Sequence, residues 1–457
     1  MATLPSTPVS PSPIFDDAPL ERYPDSNHEI LDGITRPSKK KKITDYEDDE
    51  EDCISALPDA IIQHVLSFLS VDEIIRTSVL SKRWRTVWAA VPTLDFRRQS
   101  HMYAHQLVSC VNKTLSNYST VSEVKKFLLR FKYRNSFSSQ VEEWVRFATR
   151  RHVEELSLDL HGGKTPNFGE SYCLSQSIYS CSSLRILNTL YCDFQQPTGR
   201  VFWTKLKVLT LYYARLSNEI IVQVLSGSPV LEFLKLQYCD EIKRLHIVSS
   251  SNLKKLFLCL PFNRLTVSSS NLKELVIDNV YPGASVIEIS APNINSISLL
   301  GYNSTTEYKL TDISSLTEAD LSFGVYQTYN RDMLNGVLEK LRHVQKLAIG
   351  PRYPYMVESG GKKSLGWKER YFKCLFRHLK IVEITFATLF PHCELELELV
   401  EFLLKNGKVL EKMAVLVKNT GISRRMSSVD EKKVQQLVLS YPRASPNVAV
   451  LLDIPSY

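Results

Sequence analysis

The chain has 457 residues, 44% hydrophobic and 23% charged, with a formal charge of +7. That is the composition of globular protein, long enough for several domains or an extended array. No run of about 18 apolar residues occurs, which excludes a membrane-spanning helix. The opening MATLPSTPVSPSP holds no apolar core of signal-peptide length, so a secretory leader is not expected.

Nine cysteines, none in a C-x-x-C pair, argue against a disulfide framework and against a structural zinc site. Reduced thiols in the nucleus or the cytoplasm, or both, fit better. The charge is unevenly spread. Residues 1–52 carry 6 Lys and Arg against 13 Asp and Glu, which leaves 50 basic and 36 acidic residues in the remainder. Two readings of that basic body stay open: contact with nucleic acid or acidic partners, and scattered solvated charge.

Residues 1–50 read as a disordered tail. Seven of the 21 prolines lie there, aromatics are few and like charges come in blocks, so ordering entropy outweighs any burial. Lys39, Lys40, Lys41 and Lys42 form a candidate nuclear import signal, or a solvated block, ahead of the acidic run Asp45 to Asp52.

Residues 51–97 change character. Leu57-Pro58-Asp59 opens a helix, with proline suited to a first turn. Ile62, Val65, Leu66 and Leu69 follow at helical spacing. Ser70-Val71-Asp72-Glu73 has the form of a capping box for a second helix carrying Ile74, Ile75, Val79 and Leu80. Ser81 is placed to cap a third, on which Trp84 and Trp88 share a face. Three helices this short bury little by themselves. An apolar face must meet another protein or the rest of this chain.

Residues 98–370 contain a repeat, L-x-x-L-x-L. Instances start at Leu206, Leu231, Leu253, Leu272, Ile294 and Leu316, 25, 22, 19, 22 and 22 residues apart, the period of a leucine-rich repeat. LHIVSSSNLKKLFL (245–258) is echoed by LTVSSSNLKELVI (265–277). The intervening RLHIV, RLTV and VIEI segments alternate like outer strands. The stretch Leu184 to Leu190 slips the register. Stacked repeats predict a curved parallel sheet with a continuous core. Its concave rows hold Asp159, Thr210, Tyr212, Lys235, Gln237, Phe257, Val276, Cys259 and Asp278, a mixed set suited to protein recognition.

Residues 371–457 end the chain as an α/β unit of the kind that caps a solenoid. Glu394 to Lys405 reads as a helix with Leu397, Val400, Leu403 and Leu404 inward, stopped at Asn406-Gly407. A strand at Leu410 to Val415, a helix from Ser428 to about Leu439 and a strand at Val448 to Leu452 follow.

No catalytic pattern survives inspection, and neither a cofactor nor a metal is expected. Ser359-Gly360-Gly361-Lys362-Lys363-Ser364 resembles part of a P-loop, but Met356 stands where the first glycine belongs. His378 and His392 lie near Cys374 and Cys393 without a usual zinc spacing. Arg130, Lys132 and Arg134 alternate with Phe131 and Tyr133, which suits either a nucleic-acid strand or a strand with one wet face.

These residues carry a resemblance. ISALPDAIIQHVLSFLSVDEIIRTSVLSKRWRTVWAAVPTLDF (54–96) resembles the F-box of the plant F-box/LRR/FBD family. ELELVEFLLKNGKVLEKMAVLV (396–417) and YPRASPNVAVLL (441–452) resemble its FBD domain. Two departures are visible: Cys53 stands where the family usually has Arg, and Gly407 where it often has Ala. The resemblance implies an α/β chain: a three-helix F-box, a leucine-rich-repeat solenoid and a C-terminal α/β cap.

It also implies a role. The F-box docks on a Skp-type adaptor, which links it to cullin and RING subunits. The repeats hold a protein substrate for ubiquitination and degradation, and the chain itself does no bond chemistry. Carried over residue by residue, the adaptor-facing set is Leu57, Pro58, Ile62, Val65, Leu66, Leu69, Val79, Leu80, Ser81, Trp84 and Trp88, with Trp84 the expected hot spot. The auxin and jasmonate receptors resemble this architecture too. Their ring of basic residues for inositol phosphate has no counterpart here, where the concave rows offer only Lys235. Two other readings remain: a repeat scaffold that assembles no ligase, and a nucleic-acid-binding module.

Overall fold

The computed structural model describes residues 56–97, 103–119, 122–161, 170–248, 252–279, 285–301, 306–322, 331–350, 372–386, 394–417 and 428–453. The acidic and proline-rich tail, the Lys39–Lys42 run and the P-loop-like segment at Ser359–Ser364 lie outside the described residues.

The helical unit comprises α1 (Asp59–Leu66), α2 (Val71–Thr77) and α3 (Trp84–Val87). Pro58 takes the cap of α1, one place before the first-turn position expected, and its carbonyl accepts from the Ile61 and Ile62 amides. At the start of α2 the Glu73 carboxylate accepts from the Ser70 amide at 2.8 Å and from its hydroxyl at 2.6 Å, which satisfies a donor that the helix leaves open. The Ser81 hydroxyl accepts from the Trp84 amide at 3.4 Å. Ile62, Leu66, Ile74, Trp84, Val87 and Val91 close into a small core, with Leu57, Leu69 and Trp88 packed on it. The opposite side of α2, Val71 and Ile75, packs into the core of the repeats. The short helices thus draw part of their stability from this chain.

The repeats form a fourteen-stranded sheet, ordered as in the sequence from Thr93–Phe96 to Ala449–Asp453. All of its pairings are parallel. Alternation produces it, because a strand shows successive side chains to opposite faces. Leu156, Leu187, Leu209, Leu234, Leu256, Leu275 and Ile297 fall in one register row, and all are buried. Each such side chain is worth about 1.5–3 kcal/mol when fully buried, yet one repeat alone gives it no neighbour. The ladder runs past the strands as well: Lys207 donates to the Arg185 carbonyl, Glu232 to Lys207, Lys254 to Glu232 and Lys273 to Lys254.

The slipped repeat follows Leu184 and Leu187. Thr189 then occupies the third apolar place, buried between Leu158 and Leu211. The alternating outer segments pair as a second parallel sheet: Arg244–Ile247, Arg264–Ser268, Ser285–Ser290 and Thr306–Thr311. The sheet runs unbroken into the C-terminal region, where Lys346–Ile349, Ile381–Phe386, Lys412–Val417 and Ala449–Asp453 pair in succession. The helix Glu394–Asn406 buries Leu397, Val400, Leu403 and Leu404, as its spacing predicts, and ends with the Gly407 amide on the Leu403 carbonyl at 2.9 Å.

Candidate docking surfaces

Two surfaces stand out, one on the helical unit and one on the concave face of the sheet. On the first, the apolar residues divide into two populations. Ile62, Leu66 and Trp84 belong to the helical core, and Trp84 is only 6% exposed. The resemblance carries these three over as adaptor-facing, and in the free chain they lie closed in the unit's own core, beneath its surface. Leu57, Leu69, Ser81 and Trp88 are half-buried. Pro58, Val65, Val79 and Leu80 stand exposed, Val79 at 82% and Leu80 at 63%.

Two residues absent from the sequence-based set join them. Ile61 is exposed and Phe68 is 73% exposed. Ile61, Val65 and Phe68 follow one another at steps of four and three, so they share a face of α1 and its last turn. Val79 and Leu80 lie on the tight turn after α2, where their amides donate to the Arg76 and Thr77 carbonyls and the side chains are left outward. Arg83 reaches back to the Leu57 carbonyl at 2.5 Å and to the Asp59 carboxylate through Nε at 2.7 Å. This ties the start of α1 to the approach of α3. Exposed apolar side chains gathered on a small folded unit suit a protein contact, and covering them is worth about 1.5–3 kcal/mol per large side chain.

On the concave face, Thr210, Tyr212, Lys235, Gln237, Phe257 and Val276 are half-exposed, as expected. Register brings them together: Thr210 faces Lys235, Tyr212 faces Gln237, and Lys235 faces Phe257. The Lys235 ammonium lies 4.9 Å from the Tyr212 ring centre and 4.4 Å from that of Phe257. Asp159 is half-exposed but engaged by Arg130 Nε at 2.6 Å and His161 Nδ1 at 3.1 Å. Burial pushes its carboxyl pKa up; the His161 and Arg130 hydrogen bonds outweigh that and hold it below the usual range.

Cys259 and Asp278 depart from expectation. Both are buried, although their row continues that of Tyr212 and Gln237. Tyr238 is packed beside them. Its amide donates to the Cys259 carbonyl at 2.6 Å, and its hydroxyl is pushed up to about 12 by burial, with the Cys259 thiol, Tyr213 and Asp278 adding to the effect. Asp278 is therefore removed from the open face.

Tyr238 also ends a stack that the sequence reading missed. The Tyr191 and Tyr213 rings lie 4.8 Å apart, and Tyr213 and Tyr238 4.9 Å apart, all nearly parallel. Each has a positive φ, 59°, 50° and 54°, a costly backbone for tyrosine. Their spacing matches the repeat, two places beyond the last core position of each strand, and that offset was the available signal.

Phe131 and Tyr133 are buried, and Arg130 is ion-paired. The alternating basic-aromatic segment therefore offers no ring on which a base could stack. Among the described residues, no three His, Cys, Asp or Glu side chains gather as a metal site would require.

Comparison with known proteins agrees with this layout. A model for the F-box domain matches residues 54–94. One described as "FBD-associated F-box protein At5g56370, LRR repeats" matches 141–324, and an FBD model matches 371–415. Arabidopsis thaliana F-box protein At5g03100 is 30% identical over 310 residues, covering 65% of this chain and 89% of that protein. F-box/LRR-repeat protein 25 of the same plant is 36% identical over 210 residues, 45% of this chain and 75% of that protein. F-box/LRR-repeat protein At5g02910 is 34% identical over 321 residues, 68% of this chain and 62% of that protein. Against several such relatives the match spans between 60 and 64% of their own length. A solved internalin from Listeria monocytogenes superposes with a TM-score of 0.32 at 12% identity, over 77% of this chain and 95% of that one.

Proposed function

The chain belongs to the plant F-box/LRR-repeat family with an FBD segment, and from that membership we propose that it is the substrate-recognition subunit of an SCF-type cullin–RING ubiquitin ligase. The helical unit docks on a Skp-type adaptor, and through it on the cullin and RING subunits. The concave face of the repeats holds a protein to be modified. The chain contributes no reacting group. It brings a substrate lysine near a ubiquitin thioester carried by a conjugating enzyme that the RING subunit recruits, and that proximity lowers the entropic part of the barrier.

The observation that carries this reading is the exposed apolar patch of Ile61, Val65, Phe68, Val79 and Leu80 on an otherwise closed helical unit. Titration of the full chain with a purified Skp-type adaptor tests it. Tight one-to-one binding, lost on Val79→Asp with Leu80→Asp, is the expected result. A folded wild type that binds no adaptor would overturn the proposal.

A further inference from the structure

Lys235 sits in the middle row of the concave face, with the half-exposed Thr210 and Phe257 across from it on the two neighbouring strands, Phe233 and Gln237 two places along its own, and Val208 and Tyr212 on the diagonals. Its ammonium touches the Tyr212 and Phe257 rings and has no carboxylate partner among the described residues. The neighbouring charges differ. On the adjoining strands Lys255 is paired with Glu274 at 2.6 Å, and farther along the sheet Arg130 is paired with Asp159. Among the described residues Lys235 is a cation of this face with no carboxylate partner, held in place by the Tyr212 and Phe257 rings.

We infer that Lys235, seated between Tyr212 and Phe257, is the specificity-determining contact of the concave face, and that it selects a protein segment bearing one carboxylate among apolar side chains. The inference rests on the substrate-holding role proposed above and names the class of substrate. A partner covering this face strips water from the ammonium. It must supply an anion or leave a buried charge unpaired, which is strongly unfavourable. The Tyr212, Phe233 and Phe257 rings and Val208 favour apolar side chains beside that anion. A phosphoryl group brings nearly two charges and asks for several donors, usually arginines, and a single lysine answers only half of it. A nucleic acid would need a cation for each phosphate it lays on the face.

The test uses bead-bound nonapeptide pools whose flanking positions are randomised among Leu, Ile, Val, Phe and Ser. The central residue is fixed as Glu, Gln, phosphoserine or Lys. The full-length chain is expected to favour the Glu pool over the Gln pool by about tenfold, the effect of one charge-assisted contact. That preference disappears in Lys235→Met, which keeps the apolar stem between the rings, and survives in Lys235→Arg. Equal retention of the Glu and Gln pools, a preference that persists in Lys235→Met, or a phosphoserine pool that outranks Glu would each overturn the inference. Adaptor binding is measured on the same preparations. It stays unchanged in Lys235→Met, so a failure here is distinguishable from failure of the ligase role.

Discussion

Leu80 and Trp84 lie four residues apart and have opposite environments. The Trp84 indole is enclosed in the helical core with Ile62, Leu66 and Ile74, while Leu80 stands in solvent on the turn before it. The two positions therefore respond differently to substitution. Val79→Asp with Leu80→Asp is expected to weaken adaptor binding by at least about 2 kcal/mol, the loss typical of an interface hot spot, with the melting temperature unchanged. Trp84→Ala is expected to cost about 3–5 kcal/mol of stability and to abolish binding only by unfolding the unit. Calorimetric titration beside a thermal melt separates the two.

Thr189 stands where the repeat places leucine. Its hydroxyl is buried with no hydrogen-bond partner among the described residues. Thr189→Val removes that polar group at nearly constant volume. The expected gain is about 1 kcal/mol, seen as a higher melting temperature. A lower one would show that the hydroxyl is satisfied.

Glu142 fixes its helix to the next repeat. Its carboxylate accepts from the Tyr172 hydroxyl and the Ser175 hydroxyl, both at 2.8 Å, and from Arg146 at 3.0 Å. Burial pushes its pKa up, but these hydrogen bonds and the Arg146 charge outweigh that and hold it below the usual range. A depressed carboxylate adds stability above its unfolded pKa and loses it as pH falls through the folded one. The stability gap between wild type and Glu142→Gln is therefore widest near neutrality and closes as pH drops below about 4.3. Denaturant melts across that range measure it. A gap independent of pH would contradict it.

Gly227 follows the helix Asn218–Ser226 and lies against Val201. A Cβ there would stand 2.4 Å from the Val201 carbonyl oxygen and 2.6 Å from its Cβ. Main chain cannot yield as a side-chain tip can, so Gly227→Ala is expected to cost about 1–3 kcal/mol through overpacking. Hydrogen exchange in the strands Val208–Tyr212 and Phe233–Gln237 should quicken in the variant.

The repeat architecture is legible because alternation leaves one solution: Leu209 and Leu211 must share a face, and so must every equivalent pair. The same rule places Tyr212, Lys235 and Phe257 on one face of the sheet. It does not say which face of α1 is closed, since Ile61, Ile62, Val65 and Leu66 make that helix apolar nearly all round, and only the packing of α2 and α3 decides. Nor does alternation foresee Asp278 and Cys259, which share a row with Gln237 but lie beside Tyr238, brought there by a left-handed turn. The tyrosine stack followed the repeat spacing all along. It went unread because its residues sit beyond the strand, where the leucine pattern ends.

The sheet passes from Thr93 to Asp453 without a missing pair, and Val71 of the helical unit is built into its core. In such an array the orientation of one end to the other is the sum of small rotations between neighbouring repeats. The number of repeats therefore acts as a protractor. Excising one whole unit would leave the helical patch and the Lys235 face each intact, and would turn one relative to the other by a single step.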